Sequence, residues 1–326
     1  MNIPLKVLIV EDSEDDVLLL VRELKRRGYE IQFEQVETAE AMCSALGRQK
    51  WDLIVSDYNM PQFTAFDALQ LLKGTELDIP FIIVSGAIGE ETAVEMMKAG
   101  AHDFVRKGNL ARLAPAIERE LRDVEVRRER RKVQEQLERS FIDLVETVSR
   151  AMDSRDPYTA GHEKRVAELA RLVGERMGLD ENILMGLYIG GLLHDIGKIS
   201  TPESLLSRPG KLVEEEWALL RAHTKRGYEI LKETNLPWPV AEMTLHHHER
   251  LDGSGYPHGI SGDKLSLEVR ILGVCDVVEA MSSHRPYRPA RRKDEVIEEI
   301  QSGRGVLYDA TVVDAMLKII ENTRVH

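Results

Sequence analysis

The sequence predicts an α/β doubly wound domain on a parallel sheet, joined by a long helix to an all-α helical bundle. Three observations carry this reading. Over residues 1–115, short apolar runs alternate with amphipathic helical patterns. From Ala116 to Ser149 no Pro or Gly interrupts the chain, and beyond Asp156-Pro157 the apolar period is helical with few strand-like runs. Continuous apolar strands separated by helices are the mark of a parallel sheet covered on both faces.

The elements follow in order. The strand-like runs are Val7–Val10, Ile31–Phe33, Leu53–Val55, Phe81–Val84 and a weaker His102–Val105. Between them, Val17–Leu24, Ala39–Leu46, Phe66–Leu72 and Thr92–Met97 have helical spacing. Residues 116–142 read as a linker helix. Ile117, Leu121, Val124, Val133, Leu137, Phe141, Leu144 and Val148 recur at intervals near three and four, although Arg127, Arg128, Arg130, Arg131 and Lys132 break the seam. Such a helix could pair in a homodimer as a coiled coil, or lie solvated against its own domain. Residues 143–326 read as the helical bundle.

Composition narrows the function. The chain has 326 residues, which at about 100–200 per domain makes two domains. Its formal net charge is −12, and no segment is strongly basic, so DNA is not an expected partner. Two cysteines, Cys43 and Cys275, make no disulfide framework. No apolar run approaches the roughly 18–20 residues of a membrane span, and Glu11 and Asp12 follow the first apolar run too closely for a signal peptide. The expectation is a cytoplasmic protein.

Glu11 and Asp12 end the first apparent strand and Asp57 ends the third. In a parallel sheet these carboxylates meet at the carboxyl edge, where ligands collect. Like charges that close call for a hard divalent cation with oxygen ligands, typically Mg²⁺. Ser85 ends the fourth run and Lys107 follows the fifth. Three carboxylates, a hydroxyl and an ammonium suit phosphoryl transfer to Asp57, with Lys107 neutralising charge and Ser85 bonding the product. Each residue alone has an ordinary explanation, as a helix cap or a surface lysine.

This segment resembles the receiver domain of two-component response regulators, on Asp57 with Met60-Pro61, Glu11-Asp12 and Lys107. The resemblance implies Mg²⁺ on Glu11, Asp12, Asp57 and the carbonyl of Asn59, phosphorylation of Asp57 by a sensor histidine kinase, Ser85 in the Ser/Thr position, and Phe104 as the switch aromatic. Lys107 is followed by Gly108 instead of the family's usual Pro.

The bundle carries His162, His194-Asp195, His223, His246-His247-His248 and Asp276. Lys198 falls about one helical turn after His194, and Gly197 would end or loosen that helix. The outer two of three consecutive histidines lie roughly 200° apart on a helix. The reading favours His247 and His248, leaving His246 to a supporting or surface role. Imidazoles with a few carboxylates suit Fe, Mn or Zn, and a carboxylate able to bridge points to two metals. No cysteine cluster supports a structural zinc site. The turn Asp252-Gly253-Ser254-Gly255-Tyr256-Pro257 could lay Tyr256 over that site, and Arg285 and Arg288 suit phosphate.

The combination of His-Asp-Ile-Gly-Lys with His-His-Glu-Arg-Leu-Asp-Gly-Ser-Gly-Tyr-Pro resembles the HD-GYP cyclic di-GMP phosphodiesterases. The resemblance implies one metal on His162, His194, Asp195 and Asp276, and a second on His223, His247 and His248, with Asp195 shared. Fe or Mn is favoured and Zn is possible. It further implies catalytic roles for Asp195 and Lys198, phosphate contacts from Lys198, Arg285 and Arg288, and a substrate pocket and protein-contact surface at Gly255, Tyr256 and Pro257. Tyr158 stands where some members place a glutamate for a third metal, so two metals are expected.

The expected activity is phosphorylation-controlled hydrolysis of cyclic di-GMP to linear pGpG, with GMP as a further product. Uncatalysed phosphodiester cleavage needs a barrier reduction on the order of 20 kcal/mol, whereas general acid–base help supplies about 10²–10⁴-fold. Metals must carry most of the rest. Two alternatives stand beside it: a metal phosphohydrolase for another nucleotide, and a non-catalytic adaptor binding partners through the Gly255-Tyr256-Pro257 surface.

Overall fold

The computed structural model describes residues 3–86, 90–153, 161–206, 210, 212–283 and 289–322. The chain divides into two compact units, Met1–Gln136 and Leu137–His326.

The first unit alternates strands and helices: β1 (Ile3–Val10), α1 (Glu14–Arg26), β2 (Tyr29–Val36), α2 (Ala39–Arg48), β3 (Leu53–Asp57), α3 (Ala65–Lys73), β4 (Phe81–Ser85), α4 (Glu90–Lys98) and β5 (Asp103–Arg106). All neighbouring strands are parallel, in the order β2-β1-β3-β4-β5. The helices start where the local chemistry allows. Ser13, Thr38 and Thr64 each accept a backbone N–H of the first turn of α1, α2 and α3, and Asp67 completes a capping box.

Strand side chains alternate between two cores. Leu8, Val10, Ile54, Phe81 and Ile83 pack with α2 and α3. On the opposite face, Leu5, Val7, Ile9, Leu53, Val55, Ile82 and Val84 pack with Val17, Leu20 and Leu24 of α1 and with Leu113 and Ile117. Burial on both faces explains why the strands read as continuous apolar runs. The strand order reverses between β1 and β3, and that switch point is where Glu11, Asp12 and Asp57 emerge.

Leu113 opens α5 (Leu113–Asp153), one unbroken helix of 41 residues that passes from the first unit into the second. Pro115 lies in its first turn, where a missing N–H costs no intrahelical bond. The second unit is all helical: α6 (His162–Arg176), α7 (Glu181–Leu193), α8 (Glu203–Leu206), α9 (Glu214–Arg221), α10 (His223–Leu231), α11 (Val240–His246), α12 (Leu267–Ser282), α13 (Lys293–Ser302) and α14 (Ala310–Asn322). Its larger core joins α6, α7, α12, α13 and α14, and a second cluster joins Val145 of α5 with Ile189, Leu192, Leu231 and Val240.

One sequence expectation is corrected here. His194, Asp195 and Lys198 do not share a helix: α7 stops at Leu193 and the chain turns through a 3₁₀ segment, Ile196–Ser200. Gly197 is not the breaker. A Cβ there would lie 1.9 Å from the His223 carbonyl oxygen, so glycine is required for the turn to pack on the start of α10. Gly191 plays the same part in α7, where a Cβ would meet the Ala167 backbone at 2.4 Å. Among the described residues no helix is long and apolar enough to cross a membrane.

Candidate metal centre and phosphoacceptor pocket

In the first unit, Glu11, Asp12 and Asp57 each offer a carboxylate oxygen within 4.8 Å of the others. Glu11 and Asp57 are buried and Asp12 is exposed. Lys107, first residue after β5, reaches across with its Nζ 2.9 Å from Glu11 Oε2 and 3.2 Å from Asp57 Oδ2, and also bonds Asp16. Burial would pull this ammonium down, but the bonds to Asp16 and Glu11 outweigh it and raise its pKa, so Lys107 stays charged. Burial raises Glu11, with Lys107 opposing. Asp57 accepts the Tyr58 N–H at 2.8 Å, and exposed Asn59 follows two residues after β3. Ser85 ends β4 with a buried hydroxyl that has no partner among the described residues. Phe104 is half-buried on β5 and packs against the core. Sequence reasoning missed Asp16, although it lies four residues after Asp12 in an acidic stretch.

In the second unit, helix ends deliver the imidazoles. His194 follows the last residue of α7, His247 follows the last residue of α11, and His223 opens α10 two residues after α9 ends. The final carbonyls of a helix lack intrahelical partners, and the rings use them. Nδ1 of His194, His223 and His247 lies 2.7, 2.7 and 2.8 Å from the carbonyl oxygens of Gly191, Leu220 and Thr244. A carbonyl oxygen can only accept, so each Nδ1 carries the proton and each Nε2 turns a lone pair inward.

Those lone pairs converge on carboxylates. His223 Nε2 and His247 Nε2 lie 3.1 and 3.9 Å from Asp195 Oδ1, and 3.4 Å from each other. His194 Nε2 lies 3.4 Å from Asp195 Oδ2 and 3.9 Å from Asp276 Oδ1. His162 Nε2 lies 3.2 Å from Asp276 Oδ1, and His248 Nδ1 lies 3.7 Å from Asp276 Oδ2. The donors form two triads, His162-His194-Asp276 and His223-His247-His248, each within 4.8 Å, with Asp195 between them.

Charge follows burial. Desolvation lowers His194, and it lowers His247 further with help from His248 and the other imidazoles; His248 falls to about 3. These rings are neutral, the form that binds a metal. Burial would raise Asp195, but the Lys198 ammonium beside it holds it well below the ordinary carboxylate range. His162 is the exception: its bonds to Asp276 and Glu279 outweigh burial and lift it to about 10.

The residues fit a cation. His194 Nε2 and Asp195 Oδ1 are buried without a hydrogen-bond partner among the described residues, and lone pairs face one another at distances near the roughly 3–3.5 Å spacing of ligands held about 2.1 Å from one ion. Neutral acceptors crowded like this repel unless a positive ion joins them. The second unit therefore contains a metal-binding site.

Around it, Lys198 Nζ lies 2.5 Å from Asp195 Oδ2. Tyr256 stacks on His248 with ring centroids 4.6 Å apart, and the Arg221 guanidinium sits 5.5 Å from the Tyr256 ring. Gly255 lets this loop touch the chain, since a Cβ there would lie 2.4 Å from the Glu249 Cα. Pro257 is half-buried. Arg285, Arg288 and Tyr158 lie outside the described residues.

Sequence reasoning missed Glu279, which grips His162 Nδ1 and is itself bonded by Arg165 at 2.6 Å and Ser283 at 2.5 Å. The signal was present: Glu279 lies three residues after Asp276 and Arg165 three after His162, each on its partner's helix face. It also missed Arg221, which nothing in its local sequence distinguishes.

Comparison with known proteins agrees with this geometry. Residues 7–118 match the response regulator receiver domain and residues 146–312 match the HD domain. A cyclic di-GMP phosphodiesterase response regulator of Xanthomonas campestris pv. campestris is 33% identical over 283 residues, covering 82% of this chain and 75% of that one. A cyclic di-GMP phosphodiesterase of Thermotoga maritima is 30% identical over 334 residues, covering 96% and 90%. A 3′3′-cGAMP-specific phosphodiesterase of Vibrio cholerae is 34% identical over 185 residues, covering 56% and 40%.

The fold and the site thus define a metal-dependent hydrolase with a phosphoacceptor module. The chain belongs to the response-regulator family in which a receiver domain is joined to an HD-GYP-type HD phosphodiesterase domain.

Proposed function

We propose that this chain hydrolyses cyclic di-GMP to linear pGpG, and more slowly to GMP, at a centre of two divalent ions controlled by phosphorylation of Asp57. The observation that carries the reading is the meeting of His223 and His247 Nε2 lone pairs with Asp195 Oδ1 on one side, while His194 Nε2 lies between Asp195 Oδ2 and Asp276 Oδ1 on the other. His162, His194 and Asp276 would hold one ion and His223, His247 and His248 the other, with Asp195 shared. The donor set favours Fe or Mn, with Zn compatible. Such ions supply a water of lowered pKa and a clamp on phosphate oxygens.

The chain's own groups do the rest. Lys198 sets positive charge beside Asp195, where a phosphoryl group gains charge as the bond breaks. Tyr256, backed by Arg221, walls the approach over His248, and Gly255 and Pro257 shape that wall. Arg285 and Arg288 add phosphate contacts. A water oxygen bonds phosphorus, the bond to the 3′ oxygen breaks, and that oxygen takes a proton, leaving a 5′-phosphate on the linear dinucleotide.

In the first unit, Glu11, Asp12, Asp57 and the Asn59 carbonyl would hold Mg²⁺. A sensor histidine kinase would supply the phosphoryl group, which Lys107 and Ser85 would receive and Phe104 would report. The output would act as a homodimer paired along α5. Val126, Val133, Leu137, Leu144 and Val148 are exposed there, and pairs of them recur at 11-residue intervals, a repeat that keeps a stripe on one side of a nearly straight helix. The cytoplasm suits its unpaired thiols, and the Gly255-Tyr256-Pro257 surface also offers a protein contact.

The test is turnover by metal-loaded protein on a panel of cyclic di-GMP, 3′3′-cGAMP and simple phosphomonoesters. Cleavage of cyclic di-GMP is expected to dominate. The likeness to the Vibrio cholerae enzyme makes a preference for 3′3′-cGAMP the second reading, and failure on every diester would defeat both. Asp195→Ala should lose bound metal and lower turnover by about 10³-fold or more, as when a unit that acts together is broken.

A further inference from the structure

One imidazole of the histidine run is not used by the catalytic centre. His246 ends α11, and its Nε2 lies 3.3 Å from a carboxylate oxygen of Glu242, one turn back. The His246 Nδ1 is buried and has no hydrogen-bond partner among the described residues.

It faces Glu249. The Glu249 side chain is completely buried, with Oε1 3.8 Å from His246 Nδ1, too far for a hydrogen bond. Its oxygens accept the backbone N–H groups of His258 at 2.7 Å and Ile260 at 3.1 Å. The exposed His258 ring completes the group, with its centroid 5.6 Å from that of His246. One ligand atom from each of His246, Glu249 and His258 lies within 4.8 Å of the other two.

The loop-tying bonds account for Glu249 but not for the unpartnered Nδ1 of His246. A buried carboxylate and a buried, unpartnered imidazole nitrogen that face each other beyond hydrogen-bond reach leave room for a cation between them. Two imidazoles and one carboxylate without a thiolate suit a borderline divalent ion, and a carboxylate behind the imidazole fixes its tautomer in the manner of zinc sites. We propose that His246, Glu249 and His258 form a Zn²⁺ site separate from the catalytic centre, with Glu242 orienting His246 and water filling the side open at His258. Its ligands bracket residues 249–258, the segment that lays Tyr256 on His248. Zn²⁺ would clasp the two ends of that segment.

Metal per chain, measured by mass spectrometry after equilibration of the full-length, metal-loaded protein with Zn²⁺ and removal of weakly held ions, tests this. Wild type should retain one more ion per chain than His258→Ala or His246→Gln. Zn²⁺ should raise the melting temperature of wild type by several degrees and that of His258→Ala by clearly less. His258 is exposed, so its variant folds. Equal metal content in wild type and His258→Ala, or loss in His258→Ala with none in His246→Gln, would overturn the proposal. Neither readout passes through turnover, so it stands or falls apart from the substrate assignment.

Discussion

The chain builds two acidic sites, and they differ in how far solvent reaches them. At the strand ends, Lys107 already reaches Glu11, Asp16 and Asp57, and one carboxylate, Asp12, stays in solvent. In the bundle, the neutral rings of His194 and His248 crowd buried Asp276, His223 lies against buried Asp195 with the Lys198 ammonium, and His162 bonds Asp276. The first arrangement sets one ammonium among its carboxylates and is open to solvent, which suits a group added and removed. The second buries unpartnered donor atoms away from solvent, which suits a resident cofactor. Openness to solvent separates a switch from a catalyst even where both use carboxylates.

Substitution can break that contrast, and the largest effect falls on the switch. Asp57→Ala should abolish phosphoryl uptake from acetyl phosphate, read by intact mass, while the metal content of the bundle stays unchanged. A simultaneous fall in bundle metal would erase the distinction. Gly197→Ala comes next. With its Cβ 1.9 Å from the His223 carbonyl, it should destabilise the bundle by about 3 kcal/mol, the upper end of overpacking costs, in denaturant unfolding. A near-neutral result would mean the 3₁₀ turn moves freely against α10.

Glu279→Gln sharpens the comparison at the level of support. It leaves every proposed ligand in place but weakens the grip on His162, and metal affinity should fall about 10–100-fold in a competition titration. No change would reduce Glu279 to a packing role. Smallest is Arg127→Ala. Asp78 is held below its ordinary pKa chiefly by its bond to Arg127, against burial. A lowered folded-state pKa gives stability that is fully present above the unfolded pKa and is lost as pH falls through the lower, folded one. The pair is partly exposed, so the variant should cost no more than about 1 kcal/mol at pH 7, and the cost should shrink toward nothing as acid protonates Asp78.

The switch pocket is largely legible in the sequence. Buried parallel strands announce themselves as apolar runs, and the residue after each run must lie on the same edge. Asp16 escaped because helix position, not strand end, brings it to Lys107. The bundle is legible in its donors but not in its supports. His194-Asp195 and His247-His248 stand out by residue type, whereas the carbonyls that orient them belong to Gly191, Leu220 and Thr244 and have no side-chain signature. Gly197 is legible as special but was misread in kind: close approach, not helix termination, is what demands it.

By itself, the sequence determined which side chains could carry the chemistry and that the chain would form a sheet and then a bundle, because residue type and apolar period are local properties. Only the tertiary structure decided which nitrogen of each imidazole turns inward, that Glu279 backs His162, and that His246 and His258 find Glu249 together. Those outcomes depend on where helices end and what they meet, and packing between distant segments sets both.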